Sequence, residues 1–145
     1  MRTILYAEDD RDCRELFAFV LRQNEYRVFE AINGAQAIQI VREEDVDLII
    51  LDVRMPMMTG YDAARKLAVE APHIPVMFLS VKGLDREVDR GFSCGPTVVD
   101  YLVKPLTPDK LVSRVGEILE GCRQRGVEAV RAESKAQYLE WAGFG

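Results

Sequence analysis

Four short apolar runs in this chain end in a group that can hold a metal ion or meet what the metal holds. Thr3-Ile4-Leu5-Tyr6-Ala7 runs into Glu8-Asp9-Asp10, and Leu48-Ile49-Ile50-Leu51 into Asp52. Val76-Met77-Phe78-Leu79 runs into Ser80, and Val98-Val99-Asp100-Tyr101-Leu102-Val103 into Lys104-Pro105. Carboxylates gathered at one place repel one another, and each is costly to desolvate alone. A hard divalent cation resolves the conflict, and Mg²⁺ with a few carboxylates, waters and a phosphate oxygen is the usual oxygen-only arrangement. Lys104 adds one positive charge and Ser80 a hydroxyl donor. With the metal they would suit the three phosphoryl oxygens of an in-line transfer onto the Asp52 carboxylate.

Such a site needs the runs to be neighbouring strands that finish at one edge. A run as short and apolar as Leu48–Leu51 reads as a strand buried on both faces, as in a parallel sheet. Strand-like and helix-like segments alternate five times. Helices are expected from Asp12 to Asn24, with Cys13, Leu16, Phe17, Val20 and Leu21 as the buried stripe, and after Asn33, which can cap with Gln36 in the reciprocal position. Further helices are expected around Tyr61 to Val69, from Leu84 to Cys94, and after Pro108, which suits a first helical turn. Five β–α units of this kind predict an open, doubly wound α/β sheet, which places its chemistry at the carboxyl ends of the strands.

These motifs together resemble the receiver domain of two-component response regulators. The resemblance covers about residues 2–120. It rests on the acidic cluster after the first strand, Asp52 followed by Pro56 and Gly60, Ser80 ending the fourth strand, and Tyr101-Leu102-Val103-Lys104-Pro105. It implies a flavodoxin-like five-stranded parallel sheet of order 2-1-3-4-5 and a signalling switch rather than a turnover enzyme. Asp52 would accept a phosphoryl group from a sensor histidine kinase or a phosphotransfer protein. Asp9, Asp52 and the backbone carbonyl of Arg54 would bind Mg²⁺, with Glu8 acting mainly through water. Ser80 and Lys104 would hold the phosphoryl oxygens, Tyr101 would turn from exposed to buried as the switch, and the Lys104–Pro105 bond would be cis. Asp10 reads better as a first-turn helix acid than as a ligand.

The sequence departs from the family pattern in two places. Val81 stands where a small residue is common, and Arg54 and Lys82 occupy positions that govern how water reaches the acyl phosphate. Long cationic side chains there can lie over a phosphoryl group and obstruct in-line attack, so slow self-dephosphorylation is expected. The stretch Gly95-Pro96-Thr97-Val98-Val99-Asp100 is also longer than is common before the switch aromatic. It falls on the face that often carries dimerisation or output in this family.

Other classes fit less well. A net charge of -5 with no Lys/Arg cluster offers nucleic acid no electrostatic footprint. No apolar stretch approaches the roughly 18 residues of a membrane span, and the first strand begins without signal-peptide architecture. Three scattered cysteines, Cys13, Cys94 and Cys122, suit neither disulfides nor a metal, so a cytoplasmic setting is expected. A haloacid-dehalogenase-type phosphatase needs an Asp-x-Asp pair, but Asp52-Val53-Arg54 carries Arg at its second position. A nucleotide or flavin fold would want a Gly-rich loop where Glu8-Asp9-Asp10 stands. The remaining alternative is a protein-interaction module of the same fold that works without phosphorylation. Residues 121–145 form a separate tail or linker, interrupted by Gly121 and Gly126, in which Val127, Val130, Tyr138 and Trp141 could stripe a helix. Within these residues a fused DNA-binding domain is not expected. The tail could dock on its own domain, pair with a second copy of the chain or begin a linker in a longer protein, and an unknown downstream protein is the expected output partner.

Overall fold

A computed structural model of the protein describes residues 1–81 and 85–141, excepting the side chains of Asp85 and Trp141. Five parallel strands, β1 (Thr3–Ala7), β2 (Arg27–Ala31), β3 (Leu48–Leu51), β4 (Val76–Ser80) and β5 (Val98–Val103), lie in the order β2-β1-β3-β4-β5. Helices α1 (Arg11–Gln23), α2 (Gly34–Glu43), α3 (Gly60–Glu70), α4 (Asp85–Phe92) and α5 (Pro108–Arg125) link and follow them, and α6 (Val127–Trp141) extends the chain. Every residue of β1, β3 and β4 is buried, as a sheet covered on both faces requires. One layer of core joins the sheet to α2, α3 and α4, the other to α1 and α5.

Local signals explain most helix starts. Asn33 accepts from the Gln36 N–H at 2.8 Å, while the Gln36 side chain returns to the N–H of Ile32 at 2.7 Å, one residue further out than a capping box. Thr59 caps α3 and Thr107 caps α5, where Pro108 occupies the first turn. Asp10 caps α1 through the N–H groups of Asp12 and Cys13.

Two expectations need correction. Leu16 is 51 % exposed, because α1 turns the face of Phe17, Ala18 and Leu21 inward. Gly121 does not interrupt α5, which runs on to Arg125 and stops at Gly126, φ 90°. The residues after it form α6, a helix with Val130 buried and Val127 and Tyr138 packed on the core; the Trp141 side chain lies outside the described residues, as do Lys82 and Leu84. The longer stretch before Tyr101 is absorbed in the sheet itself. Val76 pairs with Val98 but Met77 with Asp100, so Val99 is an extra residue bulged out of β5. Among the described residues no helix is long and apolar enough to cross a membrane.

Candidate functional site

The carboxyl ends of β1, β3, β4 and β5 bring Glu8, Asp9, Asp52, Ser80 and Lys104 to one edge. The sheet ladder fixes their heights. Glu8 N–H donates to Ala31 O at 3.0 Å, Asp52 N–H to Ala7 O at 3.0 Å, and Lys104 N–H to Ser80 O at 2.8 Å. The Lys104–Pro105 bond is cis. Beyond Asp52 the chain doubles back sharply. The N–H of Met58 donates to Pro56 O at 2.8 Å across Met57, whose φ is 70°, closing a tight three-residue turn. Gly60 then returns against the strand end. Its N–H donates to Val53 O at 2.8 Å, and a Cβ on it would come within 2.1 Å of Asp52 O. Only glycine lets α3 begin so close to the Asp52 backbone.

Carboxylate oxygens of Glu8, Asp9 and Asp52 lie within 4.8 Å of one another. Glu8 and Asp52 are buried, Asp9 is exposed, and Ser80 is fully buried. Lys104 pairs with Glu8, and its Nζ stands 3.9 Å from Asp52 Oδ2. Burial and the neighbouring Asp52 push the Glu8 carboxyl up to about 7, against the pull of Lys104. Burial draws the Lys104 ammonium down, but the bond to Glu8 and the charge of Asp52 outweigh it and leave the group above its usual value. One ammonium facing three carboxylates leaves the cluster short of positive charge. An oxygen-only donor set with this surplus fits Mg²⁺. The Asp10 side chain is taken up in capping α1, while its N–H donates to Glu8 Oε2 at 3.5 Å.

Tyr101 points inward. It is 7 % exposed, its ring centroid lies 5.6 Å from that of Phe78, and its hydroxyl is 3.4 Å from that of Tyr61. Burial raises its phenol, while hydrogen bonds to Tyr61 and Ser80 oppose the rise. Gly91 of α4 makes room for the ring, since a Cβ there would fall 2.7 Å from Tyr101 Cδ2. Tyr61 also donates to Glu87 Oε2 at 2.8 Å and lies beneath the guanidinium of Arg90, 4.7 Å from its ring centroid. Sequence reasoning missed Tyr61, Glu87, Arg90 and Gly91. The adjacency of Tyr61 to Gly60 was the one available signal, because Gly60 pins the start of α3 at the site.

Arg54 is exposed, and it lines a cleft of about 380 Å³ with Asp9, Thr59, Tyr61 and Arg90 beside the carboxylates. Val81 is 59 % exposed just beyond Ser80. Lys82 lies outside the described residues.

The pattern known as the response regulator receiver domain matches residues 4–116. The chain belongs to that family. This receiver is 34 % identical over 135 residues to the response regulator GtcR of Aneurinibacillus migulanus, covering 93 % of this chain and 53 % of the relative. It is 33 % identical over 135 residues to the aerobic respiration control protein ArcA of Escherichia coli (strain K12), covering 93 % and 56 %. The chain spans about half the length of the curated relatives it matches. Among solved structures, the BeF3-activated DrrB receiver domain is 30 % identical with a TM-score of 0.74, covering 83 % of this chain and 98 % of that one. The response regulator TrrA of Thermotoga maritima in complex with Mg²⁺-BeF is 26 % identical with a TM-score of 0.72, covering 81 % and 98 %. The receiver family is a signalling switch of two-component systems, and the fold here is the flavodoxin-like one of that family.

Proposed function

We propose that this receiver is a phosphoacceptor switch in which the Asp52 carboxylate takes a phosphoryl group from a phosphohistidine. The observation that carries the reading is the convergence of Glu8, Asp9 and Asp52 within 4.8 Å, with Lys104 against them. Asp9, Asp52 and the backbone carbonyl of Arg54 would hold Mg²⁺, with Glu8 reaching it mainly through water. When bound, the ion neutralises charge on the phosphoryl oxygens as they move between donor and acceptor. An Asp52 oxygen attacks phosphorus, an O–P bond forms, and the P–N bond to the donor imidazole breaks with its electron pair going to the ring. Lys104, freed from Glu8, pairs with one phosphoryl oxygen, and the Ser80 hydroxyl donates to another. Tyr101 packs inward behind Ser80. Phosphorylation would act by population shift, stabilising the inward arrangement rather than building a new one. That related receivers are described with beryllofluoride, one of them with Mg²⁺, supports the reading.

The phosphoryl donor is a sensor histidine kinase or a phosphotransfer protein, and the output passes to a downstream protein or a second copy of the chain. Arg54, Val81 and Lys82 shield the acyl phosphate and slow its hydrolysis. The test is transfer of radiolabel from a phosphorylated histidine donor. Base-labile, hydroxylamine-sensitive label, as an acyl phosphate gives, is expected on the wild type and none on Asp52→Asn, with label loss accelerated at least severalfold in the Arg54→Ala, Lys82→Ala double variant. Equal labelling of Asp52→Asn would overturn the assignment, and release that is fast in the wild type and unchanged in the double variant would overturn the shielding.

A further inference from the structure

Helix α6 crosses the open edge of β5 and joins the two layers of core. Val130 is buried with the α1 and α5 side of the sheet, while Tyr138 packs on the α2, α3 and α4 side. Between them, Arg131 reaches back to the main chain. Its Nη1 donates to Gly95 O at 2.9 Å and to Val98 O at 2.8 Å, and its Nη2 to Phe92 O at 2.8 Å. The guanidinium also lies 5.6 Å from the centroid of the Phe92 ring. Phe92 ends α4 and Val98 begins β5, so one side chain ties the two elements together. Phe92 O lies at the end of α4 and Val98 O on the edge strand, places where carbonyls are left short of partners, while Gly95 O also accepts from the N–H of Val98 at 3.3 Å.

A second link runs through α5. Arg114 pairs with Asp100 Oδ2 at 2.5 Å and donates to Ser134 Oγ of α6 at 2.7 Å. The other Asp100 oxygen accepts from the N–H of Tyr101 at 2.8 Å. Both links therefore end beside the residue assigned to the switch. Tyr101 is sandwiched between Phe78 on β4 and Gly91, the residue before Phe92 on α4. With α4 pinned, an outward Tyr101 would leave a ring-sized void that its neighbours cannot fill, and voids of that kind are strongly unfavourable. With α4 released, the helix could settle into that space and the penalty would shrink.

We propose that Arg131 is a positioning residue for the phosphoacceptor switch, with docked α6 holding α4 against β5 so that Tyr101 rests inward. The proposal rests on the phosphoacceptor reading and adds its regulation: α6 raises the affinity of Asp52 for a phosphoryl group without touching it. Because coupling between sites is reciprocal, occupation of Asp52 also tightens α6 on the domain. A partner that competes for α6 would lower phosphorylation, and one that clamps it would raise it.

The test titrates Mg²⁺ and beryllofluoride onto the full chain, with binding followed by fluorine resonances and folding checked by thermal unfolding. Wild type is compared with Arg131→Ala and with Ser134→Ala, which keeps all three Arg131 bonds and loses only the Arg114 contact. Expected is binding about fivefold or more weaker for Arg131→Ala, a smaller loss for Ser134→Ala, and slower amide exchange along α6 of the wild type when the mimic is bound. If Arg131→Ala does not fold, Ser134→Ala decides: weaker binding supports the coupling and unchanged binding overturns it. Folded variants that bind as tightly as the wild type would overturn the role of α6 and leave the phosphoacceptor reading standing. A wild type that binds no mimic would remove both.

Discussion

Glu8 is the residue whose ionisation matters most at this edge. It is 1 % exposed, it shares its surroundings with Asp52, and its carboxyl is pushed up to about 7 from an ordinary value of 4.5. A carboxyl raised in the folded state binds its proton more tightly there than in the unfolded chain. The folded state is thus favoured fully below about pH 4.5, and that advantage is lost as pH rises through about 7. Without divalent cations, stability should fall between those limits by at most ~3 kcal/mol. Adding Mg²⁺ should cancel the fall by favouring the ionised carboxylates. Denaturant unfolding at several pH values, with and without Mg²⁺, checks this; a Glu8→Gln variant that retains the whole pH dependence would assign it elsewhere. The cluster itself was legible in the sequence, since each acid ends an apolar run. The partner of Glu8 was not: Lys104 is 96 positions away, and its pairing depends on how deeply Glu8 is buried.

At the scale of elements, β5 carries the departures. Its extra residue was visible as a long stretch after Gly95, but a bulge and a longer loop have the same length in sequence. What separates them is the ladder, which steps from Val98 to Asp100 opposite adjacent residues of β4. A local cost sits just before the strand. Thr97, immediately before β5, is 2 % exposed, and its Oγ1 has no hydrogen-bond partner among the described residues. A buried hydroxyl left unpaired is destabilising, and a methyl of similar shape in its place removes the penalty. Thr97→Val should therefore raise stability by about 1 kcal/mol, read as a higher midpoint in urea with an unchanged slope. A lower midpoint would mean that the hydroxyl has a partner in solution. The misreading of α1 has an equally local origin. Leu16, Phe17 and Phe19 are all apolar, so the stripe could be drawn on more than one face, and packing alone puts Phe17, Ala18 and Leu21 inside.

Across the whole molecule, the parallel strands followed from apolar runs, because burial on both faces leaves strands little freedom of composition. The helix after Asn33 followed from its cap, and those around Tyr61 and after Pro108 from apolar patterning and the proline; the caps Thr59 and Thr107 emerge only in the structure. The placement of α6 did not follow, since it is fixed by Arg131 meeting three carbonyls and by Val130 and Tyr138 reaching opposite layers. Charged side chains bonded to backbone leave no periodic trace. The resulting architecture places a carboxylate cluster at one edge of the sheet, an inward Tyr101 behind it, and α6 clasped along β5. As proposed, the cluster is a Mg²⁺-dependent phosphoryl site centred on Asp52. The most direct measurement is calorimetric binding of beryllofluoride in the presence and absence of Mg²⁺, for the wild type and Asp52→Asn. Saturable binding at one site is expected for the wild type with Mg²⁺, and none without the metal or the Asp52 carboxylate. Binding that persists in Asp52→Asn, or that ignores Mg²⁺, would contradict it.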